Sequence, residues 1–191
     1  MLVWIERALL TVGACFAIWC AMTIARAAYY RAMPVPAPFP RIATLPGEDS
    51  RTRRSAAAGD WIGRLEAPAV QLTATVLEGD DDDTLNRAAG HIEGTAMPGD
   101  AGNVGLAGHR DTIFRPVRNL QAGALLTLTT RDRVLNYRVS RTAVVDPDAV
   151  SVLDPTSHPT LTLVTCYPFT FIGPAPRRFV VFADLVSEER R

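Results

Sequence analysis

Cysteine and histidine are scarce in this chain of 191 residues, which contains three of each. Cys15 and Cys20 lie in an apolar N-terminal run as small apolar residues, so the rest of the chain contains Cys166 alone. A lone cysteine forms no internal disulfide, and the histidines and cysteines are too scattered for a zinc site. In an exported protein such a cysteine is either bridged to another molecule or a free, reactive thiol.

Neither sign of charge is in excess, because 20 basic residues are balanced by 20 acidic ones. This balance gives no electrostatic reason to expect a nucleic-acid partner or a polybasic membrane anchor. The sequence also lacks the G-x-S-x-G, H-E-x-x-H, Walker A and C-x-x-C patterns of serine hydrolases, zinc proteases, nucleotide-binding loops and thioredoxin-like proteins. We therefore predict neither a cofactor nor a bound metal.

A long apolar run, Ala8–Ala25, contains no charged residue. As a helix at about 1.5 Å per residue it would extend roughly 27 Å, close to the thickness of a bilayer's hydrocarbon core. We predict an uncleaved, single-pass membrane anchor over residues 1–32. A cleaved signal peptide is the main alternative because residues 25–27 have an A-x-A shape, but Arg26 lies inside that site and the run is long for a signal. A buried core helix is the third interpretation.

The charges around the anchor specify its orientation only weakly. Glu6 and Arg7 precede the apolar run, whereas Arg26 and Arg31 follow it. The count of positive residues alone favours an external N-terminus, which would leave the rest of the chain in the cytoplasm.

The remainder of the chain divides into a linker and one domain. Residues 33–60 carry five prolines and then a charged stretch, which predicts a stiff and then solvated linker. Short β-rich runs between turn residues fill the domain at 61–191. We predict strands over 61–65, 71–77, 104–109, 125–130, 134–145, 161–166 and 178–185, short helices over 84–89 and 116–120, and a 3₁₀ turn over 150–153. This pattern predicts an all-β barrel or sandwich with short helices.

Four consecutive aspartates, residues 80–83, precede the first predicted short helix. Carboxylates at a helix N-terminus accept hydrogen bonds from its free N–H groups and complement its dipole. Calcium binding is the alternative, but no EF-hand spacing follows the aspartates. We favour the capping interpretation.

Cys166 ends a predicted strand, lies 57 residues after His109 and is followed twelve residues later by Arg178. A nearby imidazole or guanidinium favours the nucleophilic thiolate. If the strands at 161–166 and 178–185 form a symmetric hairpin, Cys166 and Arg178 are directly opposed, with Cβ atoms within roughly 5 Å. Arg177 would then point to the other face, although a one-residue slip reverses the choice.

Each of these residues also has a purely structural interpretation. Cys166 suits a small buried strand position, His109 a strand end bonded to the backbone, and Arg178 a solvated strand. His91 and His158, which lie in turn-like contexts beside Gly90 and Pro159, compete with His109 as a general base.

Three motifs resemble those of sortases. The run T-L-V-T-C at 162–166 is similar to their T-L-x-T-C strand, G-H-R-D-T at 108–112 to their histidine segment, and R-F-V-V at 178–181 to their arginine strand. The strings C-Y-P-F at 166–169 and G-P-A-P-R-R-F at 173–179 most resemble class D-like sortases and the Gram-negative sortase group. The resemblance extends over roughly Trp61–Leu185.

The resemblance implies a closed, eight-stranded β-barrel and a cysteine transpeptidase tethered to the cytoplasmic membrane. Carried over to this chain, Cys166 is the nucleophile, His109 the general acid and base, and Arg178 the residue that stabilises substrate and oxyanion. The implied partners are proteins with a C-terminal LPxTG-like sorting signal and an amine acceptor on the cell surface. Family members face the cell exterior, so we expect an extracytoplasmic domain despite the charge count.

Two other functions fit the same residues. A hydrolytic cysteine endopeptidase would use the same three side chains and pass the acyl group to water. A membrane-anchored β-domain that only binds a partner would leave Cys166 unreactive and would not need His109.

Overall fold

The computed structural model describes residues 2–37, 56–171 and 173–191 of the chain. The predicted linker therefore lies in large part, over residues 38–55, outside the described residues. The helices are α1 (Leu2–Ala32) and α2 (Asp82–Leu85), and 3₁₀ turns occupy Pro68–Val70, Arg115–Asn119 and Val150–Leu153. The strands are β1 (Trp61–Ala67), β2 (Leu72–Glu78), β3 (Ala89–His91), β4 (Asn103–Ala107), β5 (Leu125–Thr129), β6 (Arg133–Val145), β7 (Thr160–Tyr167) and β8 (Arg177–Arg190).

The strands close into a barrel in the order β1-β2-β3-β4-β7-β8-β6-β5, and β5 pairs back with β1. The β2–β3 and β4–β7 pairs are parallel, whereas the other six pairs are antiparallel. The predicted all-β class is therefore confirmed, as is the closed eight-stranded barrel that the resemblance implies. Closure leaves no open sheet edge between β1 and β5.

Side-chain alternation on β7 decides which way Cys166 points. Leu161 and Leu163 belong to the hydrophobic core inside the barrel, whereas Val164 and Cys166 are only half-buried. Because the side-chain period of a strand is two, Val164 and Cys166 share the outer face. Burying a leucine contributes about 1.5–3 kcal/mol, so a one-residue slip that moved both leucines outside would be strongly disfavoured. The core thus fixes the outward direction of the thiol.

The strand β3 differs from the prediction, which placed a helix over 84–89 and His91 in a turn. The helix α2 ends at Leu85. Residues Ala89–His91 pair with β2, and Gly90 and His91 also pair with β4. A Cβ on Gly90 would lie 2.2 Å from the Gly79 carbonyl oxygen, so only glycine fits this crossing. A strand of three buried residues shows no alternation, which is why the sequence pattern misses it.

The aspartates before α2 act as the capping interpretation predicts. Asp81 is the N-cap, and its carboxylate accepts hydrogen bonds from the Thr84 backbone N–H at 3.0 Å and the Thr84 hydroxyl at 2.9 Å. The backbone bond, and then the hydroxyl bond, hold the pKa of Asp81 below its usual range. Asp82 and Asp83 follow in the first turn, where their charges complement the helix dipole.

The helix α1 is the one candidate membrane span in the described residues, on length and composition over Val3–Tyr30. Its C-terminal end contacts the barrel. The Thr75 hydroxyl donates to the Tyr30 carbonyl oxygen at 2.6 Å, and Arg87 lies 5.7 Å from the centre of the Tyr30 ring. Arg64 donates to the Met33 carbonyl oxygen. The segment just after the candidate span is therefore docked on β1 and β2.

Candidate active site

Cys166 and Arg178 lie directly opposite each other in the antiparallel β7–β8 pair. This confirms the register predicted for a symmetric hairpin, so the two side chains share the outer face of the barrel. Arg177 pairs with Tyr167 instead, and its side chain is 58% exposed and lies 3.8 Å from the Asp146 carboxylate. Arg178 is therefore the arginine that shares a face with the thiol.

His109 lies two residues beyond the end of β4. Residues paired between β4 and β7 are 57 positions apart throughout the ladder, from Asn103 with Thr160 to Ala107 with Val164. The Gly108 N–H donates to the Val164 carbonyl at 3.2 Å, and the Thr165 hydroxyl donates to the Gly108 carbonyl at 2.7 Å. These bonds carry the pairing past the strand end. With the same offset, His109 comes level with Cys166.

Gly108 has a packing role that places His109. A Cβ at this position would lie 2.6 Å from the Phe114 ring, which is fully buried in the core. The Phe114 N–H donates to the His109 carbonyl at 3.0 Å, which closes a tight turn over the ring. The glycine therefore makes room for the Phe114 ring immediately before the histidine in the chain.

The two competing histidines are held elsewhere. His91 is 2% exposed, with Nδ1 2.9 Å from a Glu78 carboxylate oxygen and Nε2 3.0 Å from the Ala96 carbonyl oxygen. His158 lies before the first residue of β7, with Nε2 3.4 Å from Asp184. Asp184 lies six residues from Arg178 along β8, a separation of about 20 Å at roughly 3.3 Å per residue. Of the three histidines, His109 alone is level with the thiol.

The loop between β7 and β8, described over residues 168–171 and 173–176, lies next to Cys166 and Arg178 in the chain and forms one border of the site. Three aromatic rings pack at its base: Phe169 lies 5.4 Å from Phe179 and 6.1 Å from Tyr167, between ring centres. The Nη1 of Arg178 donates to the Ala175 carbonyl at 3.3 Å and to the Arg177 carbonyl at 3.1 Å. The loop thus contacts the arginine as well as the cysteine strand.

Arg110, which follows His109, is a site residue that sequence reasoning missed. Its Nη2 donates to the Phe171 carbonyl at 2.7 Å and to the Gly173 carbonyl at 3.0 Å. Arg110 and its two partners are 61 and 63 residues apart in the sequence, so no local sequence pattern predicts the contact. The histidine segment and the β7–β8 loop are therefore held together by one side chain.

Asn103 is a second residue that sequence reasoning missed. Its buried side-chain oxygen accepts hydrogen bonds from the hydroxyls of Thr160 at 3.2 Å and Thr162 at 2.8 Å. Its amide nitrogen donates to the carbonyls of Val152 at 3.1 Å and Asp154 at 3.3 Å. The G-N-V-G-L run marks only a strand, so the signal for this role lies in long-range pairing. Asn103 ties β4, β7 and the segment between β6 and β7 together.

The fold is a closed eight-stranded barrel with a free cysteine near the end of β7, an arginine opposite it on β8 and a histidine just after β4. These features define a class of β-barrel proteins with a single cysteine in the barrel. The Sortase domain model matches residues 65–186, which is well over half of the chain. The chain belongs to the sortase family.

Named relatives agree with this placement. The chain is similar to Sortase D of Bacillus subtilis (strain 168), with 34% identity over 130 residues, which cover 68% of this chain and 66% of that protein. The structure is similar to that of a Clostridium perfringens Sortase D5 transpeptidase, with a TM-score of 0.65, 30% identity and coverage of 72% and 86% of the two chains. It also resembles sortase E1 from Streptomyces coelicolor with a tripeptide in the active site, with a TM-score of 0.64, 30% identity and coverage of 72% and 94%.

Proposed function

We propose that this protein is a membrane-anchored cysteine transpeptidase that cleaves an LPxTG-like sorting signal and transfers the acyl fragment to an amine acceptor. The observation that carries the proposal is the β7–β8 register, in which Arg178 is directly opposite Cys166, and His109 follows the neighbouring strand β4 as the candidate acid and base. The family placement and the neighbour with a peptide in its active site support a peptide substrate.

The first half of the reaction forms a thioester. The Cys166 thiolate attacks the backbone carbonyl carbon of the Thr in the signal, and a C–S bond forms while the carbonyl π electrons move to oxygen. When the oxyanion collapses, the C–N bond breaks and His109 gives its proton to the departing amine. The thioester then links Cys166 to the N-terminal part of the substrate.

The second half releases the product. An acceptor amine attacks the thioester carbon, His109 removes the amine's proton, and the C–S bond breaks to return the thiolate. Arg178, on the same face as the thiol, stabilises the substrate and the oxyanion, a role worth about 3–4 kcal/mol for a well-placed donor. A hydrolase would differ only in using water in place of the amine.

The intact mass of the full-length protein in detergent tests this proposal after incubation with an LPxTG-type peptide. We expect an adduct with the mass of the N-terminal peptide fragment, absent from Cys166→Ala. Addition of triglycine should then yield the ligated peptide, whereas release of the free acid alone would support the hydrolase. If no adduct forms with any motif variant and Cys166 labelling is unchanged by His109→Ala, the protein is the non-catalytic binding domain.

We further propose that α1 crosses the cytoplasmic membrane once, with the barrel outside the cell. The charge count around α1 points the other way, so topology needs its own test. A membrane-impermeant thiol reagent applied to intact cells should label Cys166, with Cys166→Ser as the control. Labelling only after permeabilisation would place the barrel in the cytoplasm.

A further inference from the structure

The side chain of Arg110 bridges two parts of the site that are far apart in sequence. Its Nη2 donates to two carbonyls of the β7–β8 loop, those of Phe171 and Gly173, and its guanidinium carbon lies 5.9 Å from the centre of the Phe171 ring. Hydrogen bonds from a charged donor are roughly twice as strong as neutral ones. The contact is therefore stronger than an ordinary loop contact.

The tip of this loop has little other support among the described residues. Its own backbone contributes the bond from the Phe171 N–H to the Pro168 carbonyl at 3.4 Å, which is long. The aromatic cluster holds the base of the loop through Phe169 and Phe179, and the Phe171 side chain at the tip is 46% exposed. Arg110 is thus the side chain that fixes the tip relative to the histidine segment.

The other terminal nitrogen of Arg110 is enclosed by the protein. Its Nη1 is buried and has no hydrogen-bond partner in the part of the chain that the structure describes. Buried guanidinium N–H groups are almost always hydrogen-bonded, so an unsatisfied one needs an explanation. Because Nη1 is closed off from solvent, the guanidinium is packed into the structure rather than free on the surface.

We infer that Arg110 is a positioning residue that holds the β7–β8 loop as a preformed wall beside Cys166, ready for the substrate peptide. The inference rests on the proposed transpeptidase function. A preformed wall lowers the ordering cost of binding, because the loop is already fixed when the peptide arrives. Cys166 and Arg178 are held opposite each other by the β7–β8 backbone pairing, which does not involve the Arg110 side chain. Loss of Arg110 should therefore weaken peptide binding more than it slows the chemistry.

The variants Arg110→Met and Arg110→Lys test this in the full-length protein. Met removes the donors, and we expect the KM for an LPxTG-type peptide to rise by about tenfold, the ratio expected for loss of a charged hydrogen bond, while kcat changes less than about threefold. Lys keeps a charged donor and should recover part of the KM. Arg118→Met is the matched control, because Arg118 is exposed on the neighbouring 3₁₀ turn.

Amide hydrogen exchange supplies a readout that needs no catalysis. We expect faster exchange at Phe171 and Gly173 in Arg110→Met, with unchanged protection of the β7 core, and wild-type exchange in Arg118→Met. This comparison holds even if the wild-type protein forms no acyl-enzyme, so failure of the proposed function and failure of this inference are distinguishable. Wild-type loop exchange in Arg110→Met, or a fall in kcat with unchanged KM, would overturn the positioning role.

Discussion

At the scale of single residues, the site depends on two small features next to the reacting groups. Gly108, which precedes His109, makes room for the Phe114 ring, and the Thr165 hydroxyl donates a hydrogen bond to the Gly108 carbonyl. Neither residue would react with substrate. Both decide whether the histidine comes level with Cys166, because the β4 strand itself ends at Ala107.

The variant Gly108→Ala tests this dependence. Its methyl group would overlap the Phe114 ring, so we expect a loss of about 1–3 kcal/mol in the free energy of unfolding and a larger fractional loss of acyl-enzyme formation. Urea denaturation and the intact-mass assay measure the two effects. Phe114→Leu in the Gly108→Ala background should restore part of both, because it vacates the space, and Phe114→Leu alone is the control. No rescue would show that the overlap is not the cause.

At the scale of elements, one strand pairing and one turn were predicted correctly, whereas the end of β8 was not. The Cys166–Arg178 register followed from hairpin symmetry, and the 3₁₀ turn over 150–153 was predicted at its observed bounds. The strand β8 continues five residues past its predicted end at 185, because exposed residues there pair with β6 and carry no hydrophobic signal. The roles of Arg110 and Asn103 could not be predicted, since each depends on contacts that only the closed barrel creates.

Asn103→Ala should loosen the join between β4, β7 and the segment between β6 and β7. The change removes the acceptor of two buried threonine hydroxyls, and each unsatisfied buried group costs about 1–3 kcal/mol. We therefore expect a fall in the urea midpoint of unfolding. Asn119→Ala, at an exposed position, is the control. A midpoint equal to that of Asn119→Ala would contradict the joining role.

The Asp81 cap gives α2 a pH-dependent contribution to stability. Because folding lowers the pKa of Asp81, the carboxylate stabilises the native state above its ordinary value of 3.8, and this contribution is lost as pH falls through the lowered folded value. The stability difference between wild type and Asp81→Ala should be full at pH 7 and shrink below pH 3.8. Denaturation curves at several pH values measure it, with Asp80→Ala as the control. A difference that is constant with pH would rule out the ionised cap.

At the scale of the whole molecule, the end of α1 and the barrel form one unit. Arg87 contacts both the hydroxyl of Tyr30, at 3.4 Å, and its ring, so Arg87→Met should free the joint while leaving the barrel folded. A fluorophore on Cys166 and an acceptor on lipid headgroups in nanodiscs would report the height of the site. We expect a broader distribution of heights in Arg87→Met than in wild type or Arg118→Met. Equal distributions would show that the contact does not restrain the barrel.

The C-terminal end of α1 and the residue after it are docked on the barrel, which restricts the linker. The sequence alone predicts a stiff and then solvated linker over residues 33–60, but Tyr30 and Met33 already contact β2 and β1. In a membrane-spanning protein, such an attachment would fix the distance of the thiol from the membrane surface and its orientation. The thiol would then meet only substrate segments that lie at the same distance from the membrane. A substrate held in the same bilayer would bring its signal to that distance by lateral diffusion alone.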